Sequence, residues 1–270
     1  MWTGSVSEVE AKVLQGKCKL CLKQEMLQDS HLLPRAIYKY LRGPKRDETP
    51  RLLTGNTMSK STKQIHDYVL CGDCEQLFSK NGEQWMIGKM ARPKKFELRD
   101  MLNAAIPFWS VPGAKVYNAR AVLGADFDKF VYFALSVFWR ASVHTWIVPD
   151  SEQRVRIHLG SFGERIRLFL LGHGSFPADV TLSVCVSPEL EPPMATFGPI
   201  EERKVPFHNF VFHIPGVEYQ LNVGKMISAD ARLEDIHRSP DNPIFLTEAH
   251  SKRLSNTAIA LHRQHNRIRS

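Results

Sequence analysis

Two Cys-x-x-Cys pairs, Cys18/Cys21 and Cys71/Cys74, constrain this chain more than any other feature. Four thiolates in two such pairs complete the tetrahedron of a zinc ion. A closed four-sulfur site folds a small domain and leaves no coordination position open for catalysis. A lone Cys-x-x-Cys would read as readily as a redox pair; two separate pairs in a chain with only five cysteines favour zinc. The metal brackets the segment Asp29-Ser30-His31-Leu32-Leu33-Pro34, so any chemistry belongs to His31 and its neighbours. The fifth cysteine, Cys185, lies in the apolar run Leu182-Ser183-Val184-Cys185-Val186 and reads as a small buried hydrophobe.

Charge adds a direction. Residues 1–120 carry 20 Lys and Arg against 12 Asp and Glu, residues 121–240 carry 11 against 14, and the last thirty carry 5 against 2. A basic amino-terminal half and basic tail around a slightly acidic middle point to a polyanionic partner, although surplus lysine also serves plain solubility. The chain opens Met1-Trp2-Thr3-Gly4-Ser5, without a basic and then apolar leader, so no secretory signal is expected. The longest apolar stretch, 130–139, falls well short of the roughly 20 residues a membrane helix needs. With cysteines used in metal-type pairs, the expectation is a cytoplasmic protein without a membrane partner.

Periodicity places the elements. A polar helix is expected over 7–15, then a knuckle over 17–25, then a helix through Ile37, Tyr40 and Leu41 that stops at Gly43-Pro44. Residues 44–63, polar and rich in Thr and Lys, read as a loop. A strand over 65–70 runs into Cys71, and 75–86 has helical spacing through Leu77, Phe78, Trp85 and Met86. Beyond the prolines of 91–115, Asp126 is expected to cap a long apolar helix over 127–145. A helix follows over 162–171, stopped by Gly172, and then strands over 180–186, 207–214 and 217–223, the last two joined by Pro215-Gly216. The tail, 245–270, has a basic helical pattern. The fold class is α+β: a zinc-stabilised amino-terminal module over 1–110 and a mixed helix/sheet domain over 111–270.

The order cysteine pair, polar-His-x-x-Pro, loop, strand, cysteine pair, helix resembles the HNH, or ββα-metal, endonucleases in their zinc-bound form. The matching text is Ser30-His31-Leu32-Leu33-Pro34 and Leu70-Cys71-Gly72-Asp73-Cys74-Glu75, and the resemblance spans 18 to about 85. It implies a phosphodiester hydrolase acting on DNA, with His31 as general base and a Mg²⁺ or Mn²⁺ ion stabilising charge at phosphorus. His66 or Asp67 would fix the His31 tautomer. Glu75, where the family places a histidine ligand, would hold the divalent ion while Cys18, Cys21, Cys71 and Cys74 hold structural zinc. The resemblance to bacterial proteins of this kind also implies antiviral defence beside a partner ATPase; a homo-oligomer stays open.

This chain departs from the family at Ser30, which stands where a second ion ligand is usual; serine is a weak ligand, so the site would lean on Asp29, Glu75, Glu83 or Asp67. Lys89, Arg92, Lys94, Lys95 and Arg99 follow the second cysteine pair's helix and are candidate phosphate contacts, equally readable as a solvated face. The alternative to an enzyme is a catalytically inactive zinc module that binds nucleic acid or a partner protein.

Overall fold

The computed structural model describes residues 14–41, 51–54, 57–60, 64–149, 153–191, 196–203 and 206–248. Strands β1 (Leu14–Lys17) and β2 (Gln24–His31) form a hairpin across the first cysteine pair, and α1 (Arg35–Leu41) follows the Pro34 stop. A second hairpin, β3 (Arg51–Thr54) and β4 (Thr57–Lys60), occupies the segment read as a loop. β5 (His66–Cys71) returns antiparallel to β2 and closes a three-stranded sheet, β1-β2-β5. The chain then turns at once into α2 (Gly72–Phe78), which continues through a π-turn, Ser79–Glu83, into α3 (Gln84–Lys89).

The rest of the chain begins with α4 (Glu97–Asn103), the hairpin β6 (Trp109–Val111) and β7 (Ala114–Asn118), and α5 (Ala119–Leu123). α6 (Phe127–Val143) is the central helix, and β8 (Trp146–Ile147), β9 (Arg154–Val155) and α7 (Phe162–Leu170) follow it. Then come β10 (Val180–Val186), β11 (Thr196–Arg203), β12 (His208–Ile214), β13 (Val217–Val223), α8 (Ala229–Leu233) and β14 (Pro243–Thr247). They complete a nine-stranded sheet in the order β4-β3-β11-β12-β13-β10-β14-β7-β6. Strand and helix content together make the protein mixed α/β.

Alternation along β12 and β13 puts Phe210, Phe212, Tyr219 and Leu221 on one face, where all four are buried. α6 lies against that face: Phe133 and Phe138 meet Phe212 edge-on, and Phe130 packs on Tyr219. Each such ring contributes about 1.5–3 kcal/mol when fully removed from water. Thirteen of the seventeen residues of α6 are buried, which explains why it is apolar around most of its circumference. On its other side it packs on the π-turn, where Gly82 makes the contact. A Cβ there would lie 2.8 Å from the backbone nitrogen of Phe133. A single buried cluster runs from Cys18 to Leu246, across position 110.

Several elements differ from the sequence reading. Residues 243–247 pair with β7 and β10 as strand rather than beginning a helix; 249–270 lie outside the described residues, as do 1–13. Residues 14 and 15, the end of the helix expected over 7–15, belong instead to the strand 14–17, which pairs with 24–27. Asp126 makes no side-chain cap; its carboxylate takes Lys129 at 2.7 Å instead.

Candidate functional site

The knuckle that carries Cys18 and Cys21 is closed by two backbone bonds, Cys18 N–H to Lys23 O at 2.9 Å and Leu22 N–H to Cys18 O at 3.0 Å. Leu22 takes the left-handed conformation, φ +64°, that this tight turn demands. Cys71 ends β5 and caps α2, and Cys74 sits in the first helical turn. The four sulfurs lie within 4.8 Å of one another, with Cys21 and Cys71 3.8 Å apart. A zinc tetrahedron with Zn–S bonds of about 2.3 Å has edges of about 3.8 Å. Cys71 N–H also points at Cys18 Sγ, 3.3 Å away. The Cys18 thiol is drawn down to about 4, first by its hydrogen bond with Cys74, and the same bond pushes Cys74 up. Four free thiols at this spacing could hold a metal ion, and their donors and geometry suit zinc.

His31 ends β2, directly across from His66 at the start of β5. The two rings stack, 5.5 Å between centroids. Alternation puts Asp29 on the same face as His31, and its carboxylate accepts from His66 Nδ1 at 2.5 Å. Burial lowers the proton affinity of His31 below the usual imidazole range, although the charge of Asp29 and a hydrogen bond to Gln64 pull the other way. The ring is half-buried and favours its neutral form. Asp67 takes two partners of its own: the Tyr68 N–H at 2.7 Å and His144 Nε2 at 2.9 Å. His144 follows α6 and stacks edge-on against Trp146. His66 thus stands beside His31, and Asp67 is engaged with His144.

Ser30 faces the other way. The register skips a residue of β5 between Gln28 and Asp29, and Ser30 Oγ accepts the Leu70 N–H at 3.1 Å beside that bulge. Ser30 is completely buried. The Glu75 carboxyl lies against the Ser30 hydroxyl and near the Arg140 guanidinium; burial raises its proton affinity over the pull of Arg140. Its Oε1 is buried without a hydrogen bond. Arg140, 1% exposed, reaches in from α6: NH1 donates to His31 O and NH2 to Glu83 Oε1, each at 2.6 Å. Positions 30 and 75 therefore meet each other, with the carboxyl of Glu75 facing a guanidinium. A hard divalent cation placed between them would face a fixed positive charge, so this donor set does not fit Mg²⁺ or Mn²⁺.

The basic cluster after α3 is largely paired. Lys89 and Lys95 share Glu97, Arg92 donates to Gly88 O and lies over the Tyr40 ring, and Arg99 pairs with Asp100. Lys94 is exposed. Arg140 and His144 are the site residues that sequence reasoning missed. An arginine inside an apolar helix was the available signal, because a buried guanidinium requires partners. No protein-family model, no curated protein and no solved structure matches this chain, and among the described residues no helix is long and apolar enough to cross a membrane.

Proposed function

We propose that this protein is an HNH-type endonuclease that hydrolyses phosphodiester bonds in DNA, with zinc on the four cysteines as scaffold. One observation carries the reading: His31, at the end of β2, is a half-buried imidazole biased toward its neutral form and stacked on a histidine that Asp29 holds. A neutral imidazole with an open side accepts a proton from water as that water attacks phosphorus. The Asp29–His66 pair keeps the neighbouring ring fixed, and Arg140 fixes the backbone beneath His31. The antiparallel β2–β5 pair running into the helix at the second cysteine pair supports the resemblance to this family. No step is assigned to a divalent ion or to Glu75, because the Arg140 charge stands beside that carboxyl.

A second reading, a zinc module that binds DNA or a partner protein without cutting, draws on one specific observation. Arg140 lies where Ser30 and Glu75 converge, the two positions the resemblance reserves for an ion. Plasmid nicking by zinc-loaded protein in Mg²⁺ or Mn²⁺ separates the readings. The nuclease predicts nicking that His31→Ala abolishes. Absence of nicking, or equal nicking by His31→Ala at equal zinc content, supports the module.

A further inference from the structure

A groove of about 450 Å³ opens between the cysteine knuckle and the carboxy-terminal end of α6. Lys19 and Leu22 of the knuckle, Trp139 of α6, Arg156 and His158 beyond β9, and Arg167 of α7 line it. Arg167 is committed to structure. Its guanidinium binds Glu164 twice and donates NH1 to Leu20 O at 2.6 Å, tying α7 to the knuckle. Glu164, the one carboxylate in the lining, is thereby neutralised. Among the described residues Arg156 donates only Nε, to Ser142 O at 3.2 Å, which leaves the two-nitrogen end of its exposed guanidinium without a partner there. Lys19 and His158 are exposed and have no carboxylate partner among the described residues. Two fixed positive charges and an imidazole thus converge on a groove whose own acid is already paired.

The groove also stands in register with His31. Lys19 N–H bonds Val69 O, and Val69 lies three residues along β5 from His66, the cross-strand partner of His31. Three strand residues span about 10 Å, so the knuckle lies near the phosphate that His31 would face. The cations around 89–99 offer no equivalent, because their own carboxylates hold most of them.

We infer that Lys19, Arg156 and His158 form a binding site for the DNA phosphodiester backbone, gripping the strand beside the phosphate presented to His31. The inference rests on the nuclease reading only for that second part; the groove's affinity for DNA stands independently. Binding is measured by fluorescence anisotropy of a labelled duplex with full-length, zinc-loaded protein carrying His31→Ala, over 50–200 mM salt. Adding Lys19→Gln and Arg156→Gln is expected to weaken binding at least tenfold at the low-salt end. Each lost phosphate contact also lowers the slope of log K against log salt by about 0.9. Lys19→Arg with Arg156→Lys retains binding, and Lys94→Ala with Lys95→Ala changes it less than twofold.

Zinc content and far-UV circular dichroism matched to the parent show that each variant is folded. An unchanged slope in the folded Gln double variant overturns the inference, as does weakening confined to the Lys94/Lys95 variant or a failure of the parent to bind DNA. Groove-dependent binding by a protein that nicks nothing retains the site and removes the nuclease. Nicking that is indifferent to Lys19 and Arg156 does the reverse.

Discussion

Replacing Arg140 by methionine keeps most of the side chain's volume and deletes its charge and both hydrogen bonds. In the native protein the guanidinium sits 5.0 Å above the Phe78 ring and joins the end of β2 to the π-turn through His31 O and Glu83. The Glu83 side chain is only 13% exposed, so without Arg140 it becomes a buried charge lacking a partner. Breaking one side of a buried pair costs about 3–5 kcal/mol, and an unsatisfied buried carbonyl costs about 1–3 kcal/mol more. A loss at the low end of that sum, about 4 kcal/mol, is expected. At about 2–4 °C per kcal/mol for a chain approaching this length, Tm falls by about 8–16 °C. Arg140→Lys recovers only part of this, since one ammonium cannot span two acceptors in a fixed fork. Urea unfolding at saturating zinc gives the numbers, and the double variant Arg140→Met/Glu83→Leu gives the mechanism. Removing both charges restores at least about 2 kcal/mol relative to the single variant. A single variant within about 1 kcal/mol of wild type, or a double variant as costly as the two singles summed, refutes the reasoning.

Chelation, or Cys18→Ser with Cys74→Ser, removes one equivalent of zinc and unfolds the β1-β2-β5 sheet; metal analysis with amide exchange of 14–89 checks this, and persistent protection there would contradict it. His31 titrates below the ordinary imidazole value because of burial, so the folded state holds fewer protons on it than the unfolded chain. Its contribution to stability is therefore present above the unfolded pKa and lost as pH falls through the lower folded one. Ring-proton NMR should find that lowered value, Asp29→Asn should lower it further, and the acid limb of any cleavage profile should follow it. Gly82→Ala forces a methyl to within 2.8–2.9 Å of Phe133 atoms, and urea unfolding should show a loss of about 1–3 kcal/mol or more.

Elements whose pattern is local were legible in the sequence. β10 and β13 match the expected 180–186 and 217–223, because alternation and the Pro215-Gly216 turn specify them without help. α6 was legible from its unbroken apolar run, and the helix over 162–171 from the glycine that ends it, Gly172 at φ +73°. Elements completed by distant partners were not. β3 and β4 carry the Thr- and Lys-rich text of a loop and become strands by pairing with each other and with β11. β14 acquires its identity from β7 and β10. At the site, the cysteine pairs and the place of His31 could be read directly, since ligand spacing is a local signal. The surroundings of Ser30 and Glu75 could not, because the guanidinium that faces Glu75 arrives from a helix position 65 residues away in the chain. A bulge that aims Ser30 inward and a π-turn that presents Glu83 leave no periodic mark.

The central claim is that the His31 ring itself takes the proton from the attacking water. Chemical rescue of His31→Gly tests it most directly: single-turnover DNA cleavage by zinc-loaded variant protein, with imidazole added at a series of pH values. The account predicts that cleavage, lost in the variant, returns with added imidazole and grows with its neutral fraction. Rescue by neither imidazole nor its methyl derivatives, while wild-type protein cleaves under the same conditions, would contradict it.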